Sequence, residues 1–250
     1  DRVVNFVTGR LGPWSIVLNG SMDIDNIDNV LRYWFCASSG EVRFDAFKIV
    51  YSFRFMSNAW ILPDSCMEEG QKWQRAREDV YKIVYGKPKL NAAMMVYRSV
   101  DIAFTNGEIN DNFFRLDDIQ AIEFLQKCNE NSAHLVEQIV CQQYYKEIIS
   151  IETEQPSEKL RRTIKQWNAR GILADYLAGE LDIPPSAVCT YLGSGRDKRK
   201  IEIPFIDASG NERWMENQDS NPIYRVKAYI NPEFENKREE VERLVNKIIN

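Results

Sequence analysis

The 250-residue chain carries 32 Lys and Arg against 37 Asp and Glu, a formal charge of −5, with 44% hydrophobic and 28% charged residues. That balance is ordinary for a globular protein and argues against disorder, while the acidic excess argues against a general nucleic-acid binder, whose affinity needs a basic surface. No run approaches the roughly 18 apolar residues of a membrane span and no signal-peptide pattern opens the chain, so a cytoplasmic location is expected.

The chain begins Asp1-Arg2-Val3-Val4, without Met and already inside an apolar helical pattern that includes Val7, which reads as a cut end. Asp25 through Phe35 place Ile24, Ile27, Leu31, Trp34 and Phe35 on one arc of a helix, with Asp25, Asp28, Asn29 and Arg32 on another. A second helix is expected over Phe44 to Met56. After a loop at Pro63 and Asp64 a long helix runs to about Tyr85, and Pro88 suits the first turn of the next. That helix carries Ala93, Met94, Val96, Tyr97, Val100 and Phe104 and stops at Asn106-Gly107. Asp117 or Asp118 can cap a further helix through Leu125, and Ser132 can open another through Tyr145.

From Glu147 the pattern turns strand-like. Strands are expected at Ile148 to Ile151, Lys200 to Ile206, Arg213 to Glu216 and Tyr224 to Ile230, with a turn at Ala208-Ser209-Gly210-Asn211. A helix from about Ser157 to Ala178 interrupts them, and a last amphipathic helix uses Phe234, Val241, Leu244, Val245 and Ile248. The expected fold is therefore mainly α: an all-helical body over 1–146 and a small α+β C-terminal appendix over 147–250. Five widely spaced cysteines, Cys36, Cys66, Cys128, Cys141 and Cys189, contain no C-x-x-C pair and read as buried thiols of a reducing compartment.

Two polar clusters could carry chemistry. Around Asp23, Asp25 and Asp28 the acids can simply cap a helix and oppose its dipole; alternatively Asp25 can hold a divalent metal while Arg32 pairs with Asp28 four residues earlier. Arg77, Tyr81 and Tyr85 are spaced four and four, with Lys87 and Lys89 just beyond. Arg grips phosphate oxygens with its planar fork and Tyr stacks on bases, whereas the plain alternative is an exposed Arg over two half-buried tyrosines. Arg196, Lys198, Arg199 and Lys200 form a basic stretch that reads as a solvated loop.

The segment Asp23-Ile24-Asp25-Asn26-Ile27-Asp28-Asn29-Val30-Leu31-Arg32 resembles the D-x-D-x-x-D-Y-x-x-R-D segment of HD-domain phosphohydrolases of the deoxynucleoside triphosphate triphosphohydrolase (dGTPase-like) group. The Arg and Tyr that follow there at a spacing of eight match Arg77 and Tyr85, and the Asn106-Gly107 turn and the run Tyr224 to Tyr229 also fit. The resemblance covers roughly residues 15 to 150 well. It implies an HD-like helical body, Asp25 as a metal ligand, and Arg77 and Tyr85 as nucleotide contacts; Tyr81 on the same stripe, Asp28, Asn29 and Arg32 on the face of Asp25, and Lys87 just beyond are expected on the substrate side with them. It also implies a nucleotide or phosphate ester as substrate, a divalent metal (Mn, Mg, Fe or Zn) in the complete protein, and a homo-oligomer.

The group's further metal ligands, two separate histidines and a His-Asp pair, have no counterpart: His134 is the only histidine and reads as structural. Asn26, Asn29 and Tyr33 replace the Lys of the mammalian relative and the Tyr and Asp of the group. The chain alone is thus expected to hold no metal and to hydrolyse nothing, its parent being either a phosphohydrolase or a non-catalytic HD-like scaffold for ligand sensing or assembly.

Overall fold

A computed structural model describes residues 2–20, 22–194, 203–215 and 223–249, with the side chains of residues 87, 88 and 194 outside the description. The basic stretch from Arg196 to Lys200 lies outside the described residues. The chain divides into two packing units, one of residues 1–84 with 197–220 and one of residues 85–196 with 221–250. A strand begins at Lys146, while the packing divides along a different line, because the tail returns a segment to the N-terminal unit.

The first unit starts with helices α1 (Arg2–Val7), α2 (Ile16–Asn19) and α3 (Ile24–Ala37). Asp23 caps α3 by accepting from the backbone N–H of Asn26 at 2.6 Å, so one of the three clustered acids has the plain structural role. Helix α4 (Ala46–Ser52) ends short of the expected Met56, because the chain turns into a hairpin of β1 (Arg54–Met56) and β2 (Ala59–Pro63). Ser57 and Asn58 both have positive φ (50° and 62°), the conformation a two-residue loop needs to match strand twist. The molecule is mainly α, as expected, with this hairpin as a strand element inside the N-terminal body.

Helix α5 (Met67–Val84) follows. Ile27 and Val30 of α3 and Trp73, Ala76 and Val80 of α5 share one core with Ile203, Phe205 and Met215, which arrive from more than a hundred residues later. The strand pairing repeats that long return: β5 (Phe205–Ile206) joins β2 in parallel and β6 (Glu212–Arg213) joins β5.

The second unit opens with α6 (Lys87–Thr105), which carries Pro88 in its first turn and ends at Asn106 and a positive-φ Gly107 as expected. Helices α7 (Asp118–Gln126), capped reciprocally by Asp117 and Gln120, and α8 (Glu130–Val140), capped by Asn129 rather than opened by Ser132, follow. Strand β3 (Lys146–Thr153) pairs with the central strand β7 (Tyr224–Ile230), whose other edge takes β4 (Val188–Ser194). The sequence reading places no strand at β4.

Alternation along β7 sends Val226, Ala228 and Ile230 to a core shared with α10 (Ala169–Leu181) and α11 (Arg238–Ile249), while Tyr229 joins Leu90, Met95 and Leu135 of α6 and α8. The single helix expected from Ser157 to Ala178 is two, α9 (Glu158–Ile164) and α10, separated at Asn168, which adopts the left-handed region (φ 51°) that Asn tolerates. Cys66 and Cys189 are buried thiols, but Cys36 and Cys141 are exposed, which corrects the expectation of five buried ones. Among the described residues no helix is long and apolar enough to cross a membrane.

Candidate functional site

On α3 the helical spacing does bring Asp25, Asp28, Asn29 and Arg32 to one exposed face. Asn29 Nδ2 donates to Asp25 Oδ2 at 3.0 Å, Arg32 Nη2 donates to Asn29 Oδ1 at 3.0 Å, and Arg32 pairs with Asp28 at 2.6 Å. The four side chains satisfy one another along the helix surface. Among the described residues no three His, Cys, Asp or Glu side chains converge on a point. One exposed carboxylate already accepting from an amide does not make a metal cage, so the described donors around Asp25 do not by themselves fit a metal.

Arg77 sits on the opposite partner of that helix pair, and its environment differs from the exposed arginine of the plain sequence reading. It is 3% exposed, its guanidinium carbon lies 4.5 Å from the Tyr81 ring centroid and 5.9 Å from that of Trp73, and its Nε and Nη2 have no hydrogen-bond partner among the described residues. Tyr81 is thus placed with Arg77 as the four-residue spacing predicts.

Two further buried polar atoms of α3 and α5 are likewise unmatched: Trp73 Nε1 and Asn26 Oδ1. Sequence reasoning passed over Trp73, although its position four residues before Arg77 was the available signal.

Tyr85 lies beyond the end of α5 and belongs to the second unit, where its ring is 6.1 Å from that of Tyr191 and 5.8 Å from the Arg225 guanidinium; Arg225 also pairs with Glu152 at 2.9 Å. Lys87 begins α6, and its side chain lies outside the described residues. His134 packs structurally, its Nε2 3.2 Å from the Asn231 amide.

A separate open groove of about 730 Å³ lies in the first unit, walled by Leu31, Phe35, Val42 and Phe47; of the candidate substrate-side and metal residues it touches Arg32. At its floor Glu69 accepts from the Asp45 backbone N–H and from Lys72, contacts that hold its carboxyl below the usual range.

No protein-family model matches the sequence, and no curated protein matches it. Solved structures do. A hypothetical protein from Aquifex aeolicus superposes over 96% of this chain with a TM-score of 0.67 at 19% identity. A second, from Bacteroides thetaiotaomicron and described as a phosphohydrolase, superposes over 91% with a TM-score of 0.55 at 12% identity. The chain shares the fold of a phosphohydrolase. It spans 64% and 66% of the lengths of these two proteins.

Proposed function

We propose that this chain is the phosphate-holding portion of an HD-like phosphohydrolase of the dGTPase-like kind, acting on a nucleotide or another phosphate ester, with Arg77 as the principal anion grip. The observation that carries the reading is the buried guanidinium of Arg77 with its Nε and Nη2 donors unmatched. A buried charge without hydrogen bonds is costly, and an oxyanion guest supplies both the countercharge and the acceptors. Tyr81, stacked beside it, keeps the guanidinium plane oriented. Asp25 remains in this reading a single oxygen donor that needs partners outside the described residues, and the chain by itself turns nothing over.

A second reading is a non-catalytic scaffold that binds a phosphate compound without cleaving it. The mutual hydrogen bonding of Asp25, Asn29, Arg32 and Asp28 favours it, because a ligand carboxylate engaged along its own helix surface is not presented to a metal.

Thermal melts test the shared core of both readings. Tripolyphosphate or a dNTP should raise the melting temperature of the wild-type chain, as any ligand of the native state must, and should leave that of Arg77→Met unmoved. Equal ligand stabilisation in the variant would remove Arg77 from the site. Release of phosphate or triphosphate from dNTPs by the chain with Mn²⁺ or Mg²⁺ would overturn the expectation that it is inactive alone.

A further inference from the structure

We infer that Trp73 is a second anion-binding residue of this site, its indole N–H and the Nε–Nη2 edge of Arg77 together taking one phosphoryl group. The inference rests on the phosphate-binding reading of Arg77. Trp73 and Arg77 lie four residues apart on α5 and so on one stripe, with the Arg77 carbon 5.9 Å from the Trp73 ring centroid. Trp73 is 1% exposed, and its Nε1 has no acceptor among the described residues, as is true of Arg77 Nε and Nη2.

An indole nitrogen is a donor only, so no change of role can satisfy it. Buried donors are almost always matched in folded proteins, and three of them on one stripe mark a place that expects an acceptor-rich guest. The Nε and Nη2 hydrogens project in parallel from one edge of the guanidinium and form a fork for two oxygens of a single oxyanion. A tetrahedral phosphoryl group has a further oxygen turned away from that fork, which a planar carboxylate lacks. That oxygen is the one the indole N–H takes. The site therefore selects phosphate monoesters or terminal phosphoryl groups over carboxylates, and Trp73 is the residue that makes the distinction.

Titration of the full chain, labelled with ¹⁵N at its six tryptophans, tests this. Inorganic phosphate should move one indole N–H resonance, the one missing from the Trp73→Phe spectrum, and succinate should not. In calorimetry with tripolyphosphate, Trp73→Phe should weaken binding about tenfold, as expected for a hydrogen bond to a charged group, and Arg77→Met should abolish it.

An unmoved Trp73 resonance, with Arg77→Met still abolishing binding, overturns the role of Trp73 and leaves that of Arg77 standing. Wild-type affinity in Arg77→Met, or no binding by the wild type, overturns both. Equal response to succinate and phosphate overturns the selectivity. Should Trp73→Phe fail to fold, Trp73→Tyr and Trp60→Phe assign the two indole donors that are buried without a partner among the described residues, and the wild-type titration then decides.

Discussion

A guanidinium as deeply buried as that of Arg77, with two unmatched donors, weighs against the stability of the free protein. Its contact with the Tyr81 ring at 4.5 Å offsets part of that cost, about 2 kcal/mol. Arg77→Met keeps the length and removes the charge, so it should stabilise the ligand-free chain by about 1–2 kcal/mol while abolishing anion binding. Urea melts with and without tripolyphosphate check both halves; a loss of stability would make Arg77 a structural residue.

Asp101 on α6 gives a pH-dependent counterpart in the second unit. Burial pushes its carboxyl up, against the pull of Arg170 and Arg98 and with a smaller push from Asp175; Asn168, with its amide nitrogen turned toward it, donates at 3.1 and 3.3 Å. Because the folded state holds this proton more tightly than the unfolded state, stability falls as pH rises from the ordinary carboxyl range through the raised value, and is flat above it. Asp101→Asn should flatten that acid-side slope and raise the melting temperature at neutral pH. A lower melting temperature there would mean that the two arginines outweigh burial.

Spacing alone made the Asp25–Arg32 face and the Arg77–Tyr81 pair legible. It could not show that Arg77 and Trp73 are buried without partners, because burial is decided by what packs over a helix.

At the scale of elements, local signals read well wherever local chemistry decides. Asp117 caps α7, Pro88 sits in the first turn of α6, and Gly107 ends it at φ 74°. They read poorly where pairing with distant chain decides. The two-residue Ser57-Asn58 turn was a weak hairpin signal beside the helical pattern of α4, and the seven residues of β4 become a strand by lying against β7, register Cys189 to Tyr229.

One buried side chain fastens such distant elements together. Arg98 of α6 donates to the Pro185 carbonyl from Nε at 3.1 Å and pairs with Asp175 of α10 at 2.5 Å. Asp175 is more than half exposed, so water can take over its charge when Arg98 is lost, and the damage should stop short of that of a fully buried pair. Arg98→Met is expected to cost about 2–3 kcal/mol in chemical denaturation, with hydrogen-exchange protection falling first in α10. A cost below about 0.5 kcal/mol, typical of a surface pair, would show that packing alone holds α10.

The whole molecule interleaves its two units in sequence, and that sets what a fragment can do. The core of the first unit is incomplete until Ile203, Phe205 and Met215 arrive, and Phe205 is fully buried against Gly70 of α5, where an added methyl would lie 3.1 Å from its ring. Residues 1–84 alone would therefore leave this core open where Phe205 pairs with Leu62 and packs on Gly70.

The second unit draws its core from α10, α11 and the β3–β7–β4 sheet and uses none of those three residues. Phe205→Ala should thus cost about 3–5 kcal/mol, all of it in the first unit. Native-state hydrogen exchange separates the two cases. Amides of α3 and α5 should lose protection by that amount while those of β7 and α10 keep theirs, whereas a uniform loss across both sets would mean that the units unfold as one cooperative body.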